Sequence, residues 1–208
     1  MNINDVNTDS VVIPKNVWEE IFKKQHKLAA KYSDIEGMGT LLQTTDVNVN
    51  TLVGQKWIKD FAWRVTEELA EAYEAKEIFI TYQSEDKTIA LQAAEHFKEE
   101  LIDALHFLVE LTIIAGHANY NPHKKLDVLQ MNPWRIVYSL GLMCNTLKNK
   151  AWKQTQMLTD MSLFTKYLND TWTYMYDLLR QEIGDDKDIY LYYFKKNEVN
   201  RFRQRSKY

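Results

Sequence analysis

The chain has 208 residues, 45% hydrophobic and 26% charged, a length and balance that suit one soluble domain with a sizeable core. Six glycines and three prolines are few for a turn-rich β fold, and a net charge of −3 removes any global electrostatic case for nucleic acid or membrane. One cysteine, Cys144, excludes an internal disulfide and a cysteine-built zinc site, as expected in a reducing cytoplasm.

Residues 1–13 form a polar N-terminal arm without the basic-then-apolar order of a signal peptide. Pro14 can open a first helix through about Tyr32, with Trp18, Ile21, Phe22 and Leu28 at helical spacing. The Gly, Thr, Asn and Asp of "SDIEGMGTLLQTTDVNVNTLVG" predict a long loop. A second helix is expected from about Gln55 to Ile80 and a third from about Thr88 to Ala115, separated by "TYQSEDKT". Gly116–Pro133 reads as loop with a short helix around "KKLDVLQ". A fourth helix fits Trp134 to about Trp152, a fifth fits Thr159–Ile183, and a last one starts near Asp188. "FLVELTIIAG", the most apolar run, is short and contains Glu110, so no membrane span is expected. The fold class is all-α: a bundle of roughly six helices in a single domain, 1–208.

Two acidic pairs stand out. Residues three or four apart share a helix face, so Glu68 and Glu71 can point at one ion, with Glu67 or Glu74 beside them. Glu100 and Asp103 repeat that spacing on the third helix, with Glu99 adjacent. Packing the two helices together would gather four carboxylates, which cannot all stay ionised in a small space without a cation. Mg²⁺, or Mn²⁺ in its place, prefers such oxygen ligands. The alternative for each pair alone is a solvated acidic face. His106, beside them, reads as a packed histidine rather than a ligand of a hard cation.

The last fourteen residues, "KKNEVNRFRQRSKY", carry six Lys or Arg against one Glu. Within residues 190–208, Lys196, Asn200 and Arg203 recur at helical spacing and the chain ends on Tyr208, a set suited to phosphate oxygens. The alternative is a solvated helix end that complements the macrodipole. Acidic groups on two helices and basic groups on a third make a nucleotide polyphosphate the economical substrate. A non-enzymatic helical interaction protein, binding nucleic acid through its tail, is the competing class; one short basic cluster on an acidic chain argues against nucleic acid.

"EELAE" followed by "EELIDALHF" resembles the E-x-x-E and E-x-x-D motifs of the all-α nucleoside triphosphate pyrophosphatases, among them dimeric dUTPases, phage dCTPase-dUTPases and MazG-type enzymes. "KNEVNRFRQRSKY" is similar to the ending of dimeric dUTPases and their phage relatives, and "LYYFKKN" strengthens the phage-type comparison. This resemblance implies a helical bundle, usually a homodimer, that hydrolyses dUTP to dUMP and pyrophosphate. dCTP or a broader MazG-like range are the alternative substrates. It implies Mg²⁺ on Glu68, Glu71, Glu100 and Asp103, with Glu71 orienting and deprotonating the attacking water. Lys196, Asn200, Arg203 and Tyr208 would hold the phosphates, and Gln25 and Phe107 would meet the base. Phe107 has an equally good role as a core aromatic. The sequence departs from the dimeric dUTPases in three places. No W-x-x-W-K-like segment follows the first motif, Lys207 replaces the glycine before the final tyrosine, and alanines stand in "KLAAKY" where an asparagine often follows the glutamine. The first and third bear on the base that is read.

Overall fold

A computed structural model describes residues 2–36, 42, 48–122, 132–150, 152 and 156–206. Among them the regular structure is entirely helical: α1 (Val17–Glu36), α2 (Leu52–Tyr82), α3 (Lys87–Ile114), α4 (Trp134–Thr146), α5 (Met161–Glu182) and α6 (Asp186–Arg205), with short 3₁₀ turns at Ile3–Asp5 and Asn48–Asn50. The all-α expectation holds. The helix expected around "KKLDVLQ" lies outside the described residues.

Four helices start where a side chain can accept from an otherwise orphaned N–H. Thr51 caps α2, Asp86 caps α3, Asp160 caps α5, and Asp185 with Asp188 forms a capping box on α6. Gly184, just ahead of that box, has φ +140°, and a Cβ there would run into the Asp188 side chain. Gly54 lets the Asn48–Asn50 turn press on the first turn of α2, because a Cβ would collide with the Asn48 backbone.

α2 and α3 form an antiparallel hairpin and make the most extensive helix pairing in the described chain. α2 buries Ile58, Phe61, Ala62, Val65, Leu69, Ala72 and Ala75, a stripe at helical spacing. α3 is buried on nearly every side from Leu101 to Ile114, so it is the central helix of the core. Tyr73 meets Phe97 with ring centroids 5.9 Å apart and Phe61 meets Phe107 at 6.0 Å. That register sets Glu68 opposite Glu100.

α4 and α5 pack as a second pair, joined to α3 where Trp172 Nε1 donates to Thr112 Oγ1 at 2.9 Å. α6 lies against α1 and α3. The fourth helix stops at Thr146 rather than near Trp152, because the following chain is tied down instead. Asn149 N donates to Gln55 Oε1 at 3.0 Å, Asn149 Nδ2 to the Asn50 carbonyl at 3.0 Å, and Lys59 Nζ to the Leu147 carbonyl at 3.0 Å. These partners come from the start of α2 and the turn before it. The first helix also starts later and runs further than its periodicity suggests, over Val17–Glu36.

Candidate active site

α3 is apolar around most of its circumference, and every polar residue between positions 100 and 110 falls on one strip: Glu100, Asp103, His106 and Glu110, spaced three, three and four apart. Asp103, His106 and Glu110 of this strip line a cavity of about 290 Å³ to which α1, α2, α3 and α6 all contribute. Larger hollows, of about 730 and 860 Å³, lie elsewhere on the molecule. Volume alone therefore does not mark the site; the side-chain chemistry does.

At one end stand the acidic groups. Carboxylate oxygens of Glu68, Glu71 and Glu100 lie within 4.8 Å of one another. Glu100 is buried, Glu68 half-buried and Glu71 exposed. Glu100 also meets His96 Nδ1 at 3.0 Å. Burial, then a hydrogen bond shared with Glu100, then the charges of Asp103, Glu100 and Glu71 push the Glu68 carboxyl up to about 8. Burial leads among these causes, and the neighbouring carboxylates add to it, so negative charge is gathered at this point. The donors are hard oxygens, and an excess of them, so the residues fit a divalent cation such as Mg²⁺ or Mn²⁺.

Asp103 faces the same space but is engaged elsewhere. Lys196 Nζ lies 2.5 Å from Asp103 Oδ2 and 2.7 Å from Glu99 Oε1, with the lysine itself buried. Burial pushes Asp103 up to about 6 against the opposing pull of Lys196. Burial alone would lower Lys196, but the two carboxylates outweigh it and hold the amine above its ordinary value. Three of the four expected metal ligands are thus gathered, while the fourth is held by a lysine expected to bind phosphate. Asn200 and Arg203 line the same cavity one and two turns beyond Lys196. Tyr208 lies outside the described residues.

The other end of the cavity is built around Gln25, which is buried. Its Nε2 donates to Glu110 Oε2 at 2.8 Å, and its Oε1 accepts from Tyr193 Oη at 2.7 Å. The Tyr193 ring stacks on His106 at 4.1 Å and 10°. His106 Nδ1 is 2.9 Å from the Ile102 carbonyl, and burial lowers the imidazole to about 4. His106 is therefore a neutral structural ring, as its place among hard-ligand neighbours suggests. Phe107 lines the cavity and packs on Phe61. The Arg64 guanidinium lies 4.7 Å from the Phe61 ring centre and 5.6 Å from that of Phe107, roofing the cavity.

Sequence spacing missed Glu110, Arg64, Glu99 as a partner of Lys196, and Tyr193. Glu110 carries a legible signal, since it continues the strip of Glu100, Asp103 and His106. Arg64 also sits one turn before Glu68.

The sequence model of the dUTPase family matches residues 17–208, nearly the whole chain and every described part of this cavity. The chain belongs to the dUTPase family. No curated protein and no solved structure matches it. Membership supports a nucleotide pyrophosphatase function of the dUTP/dNTP type and suggests a divalent metal, for which the chain offers a cluster of acidic residues. Among the described residues, no helix is long and apolar enough to cross a membrane.

Proposed function

We propose that the chain is a Mg²⁺-dependent pyrophosphohydrolase of pyrimidine deoxynucleoside triphosphates, splitting the bond between the α and β phosphates to give the monophosphate and pyrophosphate. dUTP is the substrate that the family's description carries. The observation that supports this reading best is one cavity lined by Asp103, by Glu68 of the three clustered carboxylates, and by Lys196, Asn200 and Arg203 from α6. When bound to Glu68, Glu71, Glu100 and Asp103, Mg²⁺ supplies Lewis acidity toward phosphate oxygens and water. Glu71, the exposed carboxylate, orients the attacking water and takes its proton. Lys196 leaves Asp103 for the phosphates, which Asn200 and Arg203 also hold, and Tyr208 closes over them. Gln25 and Phe107 receive the base. Exposed Trp63, Trp134 and Trp152 are surfaces that a homodimer would cover, and the single free thiol suits the cytoplasm.

Product analysis with the eight common nucleoside triphosphates tests the reading. Release of pyrophosphate from a pyrimidine deoxynucleotide, dependent on Mg²⁺, is expected. Cleavage of purine nucleotides alone would overturn the substrate class. A folded Glu71→Ala or Asp103→Ala protein with undiminished turnover would overturn the site. The dCTP reading has its own support in Glu110, whose carboxylate stands at the base end of the cavity.

A further inference from the structure

A second charged cluster, away from the acidic cavity, takes no part in the proposed function. Residues 147–150 run without helix past the first turns of α2 and are fastened there. Asn149 is the buried fastener: its backbone N–H and Nδ2 donate to Gln55 and Asn50, and its Oδ1 accepts from Met157 N at 2.7 Å. In a non-helical stretch alternate residues take the same side, so an inward Asn149 turns Lys148 and Lys150 together the other way. Lys59 meets them from α2. Its Nζ donates to the Leu147 carbonyl at 3.0 Å, the Lys150 ammonium comes within hydrogen-bonding reach of it, and the Lys148 charge acts on it more weakly.

All three lysines are half-buried, and like charges held together in that way cost free energy unless an anion answers them. Burial first, then Lys150, lowers the Lys59 amine to about 8. Lys76, Lys98, Lys166 and Lys196 each have a carboxylate partner. Among the described residues no ion pair includes Lys59, Lys148 or Lys150. Lys148 Nζ donates instead to the neutral Asn145 Oδ1 at 3.2 Å. The Cys144 thiol is the one acidic group acting on Lys59, and burial pushes it up to about 11, so it stays protonated and supplies no charge.

We infer that Lys59, Lys148 and Lys150 form a second anion site that takes a phosphate group. A carboxylate would balance one of the three charges, whereas a phosphate monoester brings a charge of about −2 and three acceptor oxygens. Lysine suits phosphate as a compact point charge. Because Asn149 fixes the backbone that carries two of the ammoniums, little order is lost on binding. Free pyrophosphate and the phosphate of a nucleotide are the two sources of such a group. The site stands on its own lysines and does not depend on the pyrophosphohydrolase reading.

Calorimetry on the full chain tests it, with inorganic pyrophosphate and dUMP as probes and a chelator present, so that no divalent ion draws phosphate to the acidic cluster. At least one probe should bind, and Lys150→Gln should weaken that binding about tenfold, the size of effect that one close opposite charge exerts. Lys196→Met, in the acidic cavity, should leave it unchanged, and Lys150→Gln should leave Mg²⁺-dependent turnover unchanged. Tighter dUMP names the nucleotide as the source, and tighter pyrophosphate names the free anion; both support the site when the loss follows Lys150. Binding of neither probe, or binding weakened by Lys196→Met and untouched by Lys150→Gln, overturns the inference. Should Lys150→Gln not fold, Lys148→Gln reads the same loss. A wild type that cleaves no nucleotide but binds a probe through Lys150 removes the enzyme reading and leaves this site standing.

Discussion

Among the three clustered carboxylates only Glu71 is exposed, which gives it access to water that Glu100 lacks. Replacing it by Gln keeps the shape and one oxygen but removes the base. Turnover should fall by about a hundredfold or more, with circular dichroism and melting temperature little changed. His106 makes a different prediction, about stability. Its folded-state value of about 4 lies below its ordinary 6.5, so between those pH values the unfolded chain holds a proton that the folded chain refuses. The stabilisation is fully present above pH 6.5 and is lost as pH falls through 4. Its full size is up to about 3 kcal/mol. His106→Phe preserves a ring against Tyr193 and cannot titrate. In denaturant melts at pH 7 and pH 4, the wild type should lose more stability than this variant, and parallel losses would refute the assignment.

The elements themselves were largely legible in the sequence, because their signals are local. Helical spacing marks α2, α3, α5 and the two carboxylate pairs, while the caps Asp86 and Asp185 are seen in the structure. The end of α4 was not legible, since Gln55 and Asn50, which capture the chain at Asn149, lie 94 and 99 residues away. Nor was the partnership of Lys196 with Asp103 and Glu99, which depends on how α6 crosses α3. Spacing assigns a residue to a face but not to what that face meets. α6 consequently brings a resident cation to the carboxylates that a metal would use. Lys196→Met should let Mg²⁺ bind about tenfold more tightly in the absence of nucleotide, the size of effect that one close opposite charge exerts. The same variant should bind a non-hydrolysable nucleotide analogue more weakly. Calorimetry reads both, and unchanged Mg²⁺ affinity would show that Lys196 and the metal do not compete for Asp103. The capping box of α6 tests the same element from its other end. Asp185→Ala should lower the midpoint in denaturant melts, because the N–H groups of Lys187 and Asp188 lose their acceptor.

At the scale of the whole molecule, the proposed metal centre would couple folding, protons and metal. Glu68 is raised to about 8 from an ordinary 4.5, so between these values the folded chain holds a proton that the unfolded chain releases. Its contribution is fully present below pH 4.5 and is lost as pH rises through 8, opposite in sign to that of His106. Without metal, the fold therefore carries an increasing electrostatic burden from this centre as pH rises toward 8. A divalent cation held by the proposed ligands would need ionised carboxylates, so it would remove that burden and displace the proton at once. Two measurements follow from the same linkage. Saturating Mg²⁺ should raise the melting temperature more at pH 8 than at pH 5, because at pH 5 protons compete for the ligands. Calorimetric titration at pH 7 in buffers of different ionisation enthalpy should show about one proton released per metal site filled. Glu68→Gln should abolish most of that release while leaving the helices intact. A Mg²⁺-induced stabilisation equal at both pH values, with no buffer-dependent heat, would mean that the cation binds away from Glu68 and that α2 and α3 do not share it.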